Sequence, residues 1–338
     1  MRAAPASPLR TLREVRTRTA IGRLPNGRVP PPCQGRRSAY RPLAKTGAPA
    51  CRRRRWLGWL GRAASYLVLT ALAVIFLLPL YWMATGSFKY QTVTMAVPPE
   101  LFPSQPTLVN WLSLFTGPWP SWRWLLNSVI ISSLTVVLVV IIAAMTGYGF
   151  GKKRFPGSKT LFFVLLSTMF LPNQVMLIPL FLLVRGLHLT DSLPGTYLAM
   201  ALPMISSPFG VFLVKQFAST IPDELIDAAK MDGASEWQIF TRVAVPLLAP
   251  ALAALAIFTF NLAWNYFMWH LLMAGDKFMY TIPVGVSYIA VTPAYGKTLL
   301  NIGLMMAGGA FGAFFMVVFF VAFQQYFVKG ITFGAIKG

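Results

Sequence analysis

Five of the nine acidic residues in this 338-residue sequence, Asp223, Glu224, Asp227, Asp232 and Glu236, fall within fourteen consecutive positions. Clustered carboxylates do acid–base or metal chemistry when a His, a Cys or a nucleophile completes the set. Here the two histidines, His188 and His270, stand alone, and the two cysteines, Cys33 and Cys51, lie far upstream. No metal site and no catalytic set are expected. The segment carries helix punctuation instead. Thr220 and Asp223 match a capping box, Pro222 suits a first helical turn, and Asp223 and Glu224 complement the helix dipole. Gly233 is a natural left-handed terminator. Ser235 and Gln238 then match a second capping box, opening a helix expected to run to about Val245, where Pro246 stops it. The reading is two short helices joined at a glycine elbow. On the first, Leu225, Ala228, Ala229 and Asp232 share a face by i, i+3, i+4, i+7 spacing. A helix lying on a bilayer is normally basic, so an acidic, small-residue face suits the groove of a protein partner better.

The elements that must hold this elbow are membrane helices. The chain is 56% hydrophobic and only 12% charged, with a mean hydropathy of +0.61, whereas soluble domains carry about 25% charged residues. Crossing roughly 30 Å of hydrocarbon takes about 20 apolar residues. Charge-free runs at 63–88, 124–151, 160–184, 192–214, 243–275 and 298–328 qualify. They predict an all-α integral membrane protein with six transmembrane helices, at about 64–85, 126–148, 160–181, 193–214, 247–270 and 303–325. Residues 101–122 hold too many Pro and Gly to span, and 278–296 read as a folded outer loop or re-entrant piece.

The formal charge of +21 is concentrated at the front, with 15 of the 30 Lys and Arg before Trp56 and only Glu14 opposing them. Residues 1–55 therefore read as a disordered, cytoplasmic Arg/Pro-rich tail, an extension that reinforces orientation, with binding to anionic lipid headgroups, rather than nucleic acid, as the alternative role. Even leaving out everything up to Arg62, the end of the bundle shared with the N-terminus carries nine basic residues against five on the other side. The positive-inside rule then puts both termini and the 220–246 elbow in the cytoplasm.

No Asp, Glu, Lys or Arg lies in the apolar core of any of the six runs. Coupled transporters generally keep such groups there, so energy must enter from outside the membrane body. The chain has no phosphate-binding loop, since Lys153 stands where Ser or Thr should and Thr146 where the first Gly should. Gly147, Tyr148 and Gly149 mimic a potassium filter but run directly into Lys152, Lys153 and Arg154. Gly147, Gly149 and Gly151, like Gly308 and Gly312, suit close helix packing instead. For a polar solute, the fifth span offers Asn261, Trp264, Asn265 and Trp269 as pathway candidates, and Asn173 and Gln174 after Pro172 interrupt the third. A facilitative channel or secondary transporter is the alternative these features leave open.

The run Asp227-Ala228-Ala229-Lys230-Met231-Asp232-Gly233, nine residues, then Val243-Ala244-Val245-Pro246 resembles the EAA loop of ABC importer permeases. Asp227 replaces the family's usual Glu, and both late aliphatic positions are Val, without changing the chemistry. Residues 171–179, 232–240, 256–267 and the ending QQYFVKGITFGAIKG are similar to the sugar-importing branch, in particular its maltose-type second permease subunit. The likeness covers roughly 57–338 and excludes the tail. It implies a type I ABC importer transmembrane domain in a bacterial plasma membrane. It also implies a second permease subunit, two ATPase domains holding ATP and Mg, and an external solute-binding protein, with no cofactor on this chain. Asp227, Ala228, Ala229, Asp232 and Gly233 would couple to the ATPase. Tyr266 and His270 depart from the family pattern, leaving the cargo open between a sugar and a solute such as glycerol phosphate.

Overall fold

A computed structural model describes residues 49–94, 98–291 and 301–335, and all regular structure among them is helical. By internal contacts the chain divides into two units, Met1–Ala63 and Ala64–Gly338. In the first, the described residues are helical from Pro49, inside the segment read as a disordered tail; residues 1–48, with Cys33, lie outside the described residues.

The second unit begins within the same helix, α1 (Pro49–Gly86), followed by the short α2 (Gln91–Thr94) and α3 (Val109–Thr116). Then come α4 (Ser121–Lys152), α5 (Ser158–Ser167), α6 (Asn173–Gly186), α7 (Leu193–Ile205), α8 (Pro208–Ala218), α9 (Asp223–Met231), α10 (Glu236–Gln238), α11 (Val245–Trp264), α12 (Phe267–Met273), α13 (Ile282–Val291) and α14 (Ile302–Ala335). Four helices are long and apolar enough to cross a membrane: Arg62–Gly86, Ser121–Lys152, Glu236–Trp264 and Ile302–Gln325. Two bent pairs, each counted as one span, bring the number to six. α5 with its trailing turn meets α6 at 101°, and α7 meets α8 at 57°.

The third and fourth spans are thus broken rather than continuous, and proline explains both breaks. Pro172 precedes α6 and Pro208 opens α8, each removing an amide donor and disfavouring helix at the residue before it. Ser207 accepts the amide of Gly210 at 3.1 Å, recapping the second half. The fifth span differs in the opposite sense at its start. Residues 236–264 form one helix through Pro246, because residues Ile239–Ala244 are wound as a π-helix. The Val245 amide reaches back to Phe240, five residues rather than four, and this looser turn relieves the clash that a proline ring makes with the carbonyl four residues earlier. At its far end that helix stops at Trp264, short of the expected residue 270, and the chain restarts as α12.

α4 is the central column, packed by α7, α8 and α11, with α14 against α11. Its approach to α8 depends on missing side chains. A Cβ on Gly147 would sit 2.6 Å from Val214 Cβ, and one on Gly151 2.7 Å from Ala218 Cβ. Gly149, grouped with them by sequence, has nothing within 4 Å and takes no part; four-residue spacing, not alternation, puts glycines on one helix face. Gly308 and Gly312 likewise admit Val286 and Ile282 of α13. That helix, within the stretch expected as a folded loop, is ten residues long and packs on α4 and α14; residues 292–296 of the stretch are not among those described. At the end of α4 opposite Lys152, side chains hold the chain leading into α13. Trp124 Nε1 donates to Lys277 O at 2.7 Å, and Asn127 Nδ2 to Phe278 O and Tyr280 O, while the Tyr197 hydroxyl of α7 donates to Asn127 Oδ1.

Gly147→Ala should cost about 1–3 kcal/mol by overpacking, whereas Gly149→Ala should gain up to about 1 kcal/mol from helix propensity. Thermal unfolding of the detergent-solubilised chain by size-exclusion fluorescence should therefore move in opposite directions for the two variants.

Candidate functional site

The acidic elbow folds where its punctuation placed it, with one change at its start. The Thr220 hydroxyl does not cap α9; it donates to Phe217 O at 2.8 Å, closing α8, and Pro222 stands at the N-cap with no side-chain bond. The Asp223 carboxylate that a capping box would turn inward is taken by Lys152 Nζ at 2.6 Å, because a full cation outbids a backbone amide for it. α9 ends as expected. Gly233 has φ 78°, the Gly233 amide bonds Lys230 O and the Ala234 amide bonds Ala229 O, each at 3.0 Å. Those are the paired bonds of a Schellman terminus. Two residues on, Ser235 Oγ accepts the Gln238 amide at 3.3 Å and Gln238 Oε1 accepts the Ser235 amide at 2.8 Å, completing the second capping box.

The faces of α9 are sorted differently from the expectation. Ile226 is buried and Ala229 is half-buried against the same cluster, which includes Tyr148, Ala218, Ile221, Ile239, Phe240 and Ala244. Ala229 therefore helps seat the elbow on α4 and α8, while Leu225, Ala228 and Asp232 face outward. Two outward apolar side chains escaped the sequence reading: Met231 is 89% exposed and Trp237 61%. Their signal was present, as bulky apolar residues off the buried face of a charged segment.

A second missed pair fastens the elbow to α4. Lys152 Nζ donates to Ile221 O as well as to Asp223; Lys153 Nζ pairs with Glu236. The hydrogen bond and charge of Lys152, aided by Arg154 and Lys230, hold the Asp223 carboxyl below its ordinary value. Lys230 pairs with Asp227 at 3.2 Å.

The proposed solute residues do not come together. Trp264 is in the core, stacked on Phe315 at 5.1 Å, and Trp269 is wholly buried with Nε1 on Ala199 O at 3.0 Å. Neither lines a surface. Asn261 and Asn265 are exposed, the Asn265 amide donating to Asn261 O at 2.8 Å. Asn261 borders a groove of about 410 Å³ between α11 and α14, otherwise lined by Ile257, Phe258, Met316, Val317, Phe319 and Phe320. Asn173 and Gln174 are exposed at the start of α6, beside the break in the third span. His188 is a surface group paired with Asp191 at 2.9 Å, but His270 is interior, with no hydrogen bond to either ring nitrogen among the described residues. Among the described residues, no three His, Cys, Asp or Glu gather as a metal site.

A folded-state carboxyl held low stabilises the elbow above the unfolded carboxylate value and loses that contribution only as pH falls through its own depressed value. A nitroxide on Met231→Cys should keep its mobility from neutral pH down into the ordinary carboxylate range and loosen only below it. Gly233→Ala, where a Cβ meets nothing within 4 Å, should cost about 1–2 kcal/mol from the left-handed backbone alone.

Residues 137–333 match the family model described as binding-protein-dependent transport system inner membrane component. The arabinooligosaccharides transport system permease protein of Bacillus subtilis is 34% identical over 279 residues, 82% of this chain and 96% of the relative. The trehalose transport system permease protein of Mycobacterium tuberculosis is 34% identical over 282 residues, 82% and 98%. The sn-glycerol-3-phosphate transport system permease protein of Shigella flexneri is 30% identical over 279 residues, 81% and 96%. The fold is that of a solved bacterial ABC transporter involved in the import of alginate, with TM-score 0.67 and 21% identity over 82% of this chain and 98% of that one. The six apolar spans, the elbow and these likenesses agree: this multi-pass membrane chain belongs to the family of inner-membrane components of binding-protein-dependent transport systems.

Proposed function

We propose that this chain is the permease subunit of an ATP-driven ABC importer for a sugar or oligosaccharide, forming half of the translocation pathway and receiving force through residues 220–246. The observation that carries this reading is the two-sided elbow. One side is seated on the bundle by Ile226, Ala229 and Phe240, while the other offers Leu225, Ala228, Met231 and Trp237 to solvent. A bound engine can push on such an elbow and move the bundle as a body.

In this reading a separate ATPase, holding ATP and Mg, closes on nucleotide. It carries the elbow with it and swings the spans between outward-facing and inward-facing arrangements. Ala228 lets the partner approach closely, Asp227 and Asp232 meet its donors, Gly233 sets the bend, and Ala229 fixes the elbow's seat. The chain itself performs no hydrolysis, and its partners are a second permease, two ATPase domains and an external solute-binding protein. Both termini lie in the cytoplasm with the elbow. Spans free of charged side chains suit an uncharged cargo, and relatives named for arabinooligosaccharides and trehalose support a saccharide.

Affinity purification from native membranes should recover an ATP-hydrolysing subunit and a solute-binding protein. Met231→Cys should crosslink to the former. The recovered binding protein, titrated with arabinooligosaccharide, trehalose, lactose and sn-glycerol-3-phosphate, should prefer a saccharide. Solute movement by the purified chain alone in proteoliposomes would overturn the assignment in favour of a facilitator. Gly233→Pro, or Ala229→Trp, should leave the protein in the membrane while ATP turnover no longer drives uptake.

A further inference from the structure

Lys152 and Lys153 are adjacent at the end of α4, yet they reach different parts of the elbow. Lys152 is the last helical residue and Lys153, with φ −100° and ψ 134°, is the first extended one, so the two side chains diverge. Lys152 grips the start of α9 through Ile221 O and Asp223. Lys153 grips the start of α10 through Glu236. The gripped positions flank the Gly233 bend. One point of attachment leaves a hinge; two on opposite sides of the bend fix its orientation.

The α10 arm is also held by buried Ile239 and Phe240 and by its continuity with the fifth span, but the α9 arm has little else to hold it. α9 contributes a single buried side chain, Ile226, and at nine residues it is too short to be stable as an isolated helix. The Lys152 side chain is 7% exposed and that of Asp223 75%, so the cation is built into the bundle while the acid stays at the surface. A buried ammonium needs its partners and resists leaving them. α4, in turn, is locked to α8 through Gly147 and Gly151, both within two turns of the lysines.

We infer that Lys152 and Lys153 are positioning residues that clasp the elbow to α4, so that a displacement of the elbow becomes a displacement of the fourth, eighth and eleventh helices rather than a local swing. The inference rests on the importer reading above and concerns how force leaves the elbow, not what applies it.

The test uses the full chain with its co-purifying ATPase, with Cys33 and Cys51 replaced by Ser and nitroxides on Met145→Cys, an exposed site on α4, and Met231→Cys. Double electron–electron resonance is recorded without nucleotide and after trapping with ATP and vanadate. The expected result is one narrow distance that trapping leaves unchanged. In Lys152→Gln/Lys153→Gln the distance should broaden and shift on trapping, while ATP hydrolysis persists. The exchanged pair Lys153→Glu/Glu236→Lys, on wild-type Lys152, should retain the narrow distance, whereas Lys153→Glu alone should lose it. A merely structural lysine would not be rescued by the exchange. A distance that shifts on trapping in the unaltered protein, or stays narrow and fixed in the double glutamine variant, overturns the clasp. Failure to recover any ATPase overturns instead the reading beneath it.

Discussion

Between membrane helices there is no hydrophobic force to spare, because lipid tails are as apolar as the side chains they would replace. Association must come from close packing and from a few buried polar bonds. The contact of α4 with α8 meets that demand by subtraction: where Gly147 and Gly151 lack side chains, Val214 and Ala218 fit directly against the backbone. The consequences extend beyond the two helices. Because α4 is pinned there, its terminal lysines emerge at a defined place over the elbow. The cluster that begins with Val139 and Ala143 continues through Tyr148 and Ile226 to Leu248 without interruption. Membrane body and elbow share one core.

The opposite end of α4 is held by hydrogen bonds rather than by small residues. Asn127 alone joins three segments, donating to the carbonyls of Phe278 and Tyr280 and accepting from Tyr197. Those carbonyls lie in and just after the single 3-10 turn Lys277–Met279, which is too short to give them helical amide partners. An unpaired carbonyl in an apolar setting is costly, so the amide side chain substitutes for the missing ladder. The same economy appears in the fourth span, where Ser192 at its start and Ser207 at its break each accept the amide three residues on. The break before α8 is recapped in this way, whereas α6 restarts at Pro172 with no side-chain cap.

Which parts of this were legible in the sequence follows from what each signal measures. Runs of apolar residues report transfer into lipid, so six crossings could be counted. They do not report continuity, so the 101° and 57° bends went unseen. Gly233 and the Ser235–Gln238 box were legible because their partners lie within a few residues. Thr220 was misread because a residue 71 positions before Asp223 competes for the carboxylate. Pro246 was misread because a π-wound turn offers a way through that local rules omit. Trp264 and Trp269 were chosen for chemistry that aromatic faces can perform, but identical faces also fill a core, and the rings of Phe315 and Phe260 claim Trp264. Residue type alone cannot distinguish an aromatic that waits for a solute from one that is already stacked.

The elbow combines a permanent attachment with changeable ones. Ile226 and Ala229 are held by packing, which is insensitive to salt and short-ranged. Asp223 and Glu236 are held by charge, but their carboxylates face water, where exchange with solvent is easy and screening is strong. A device of packing alone would be rigid but unable to yield under load. One of surface ion pairs alone would fray. Seating α9 on a small apolar footprint and steering it with two lysines rooted at the end of α4 gives an element that keeps its orientation while its carboxylates remain free to trade partners. On the clasp inferred above, such a contact would transmit compression through its packed side and resist rotation through its charged side, which is what a lever fixed to the end of a helix requires.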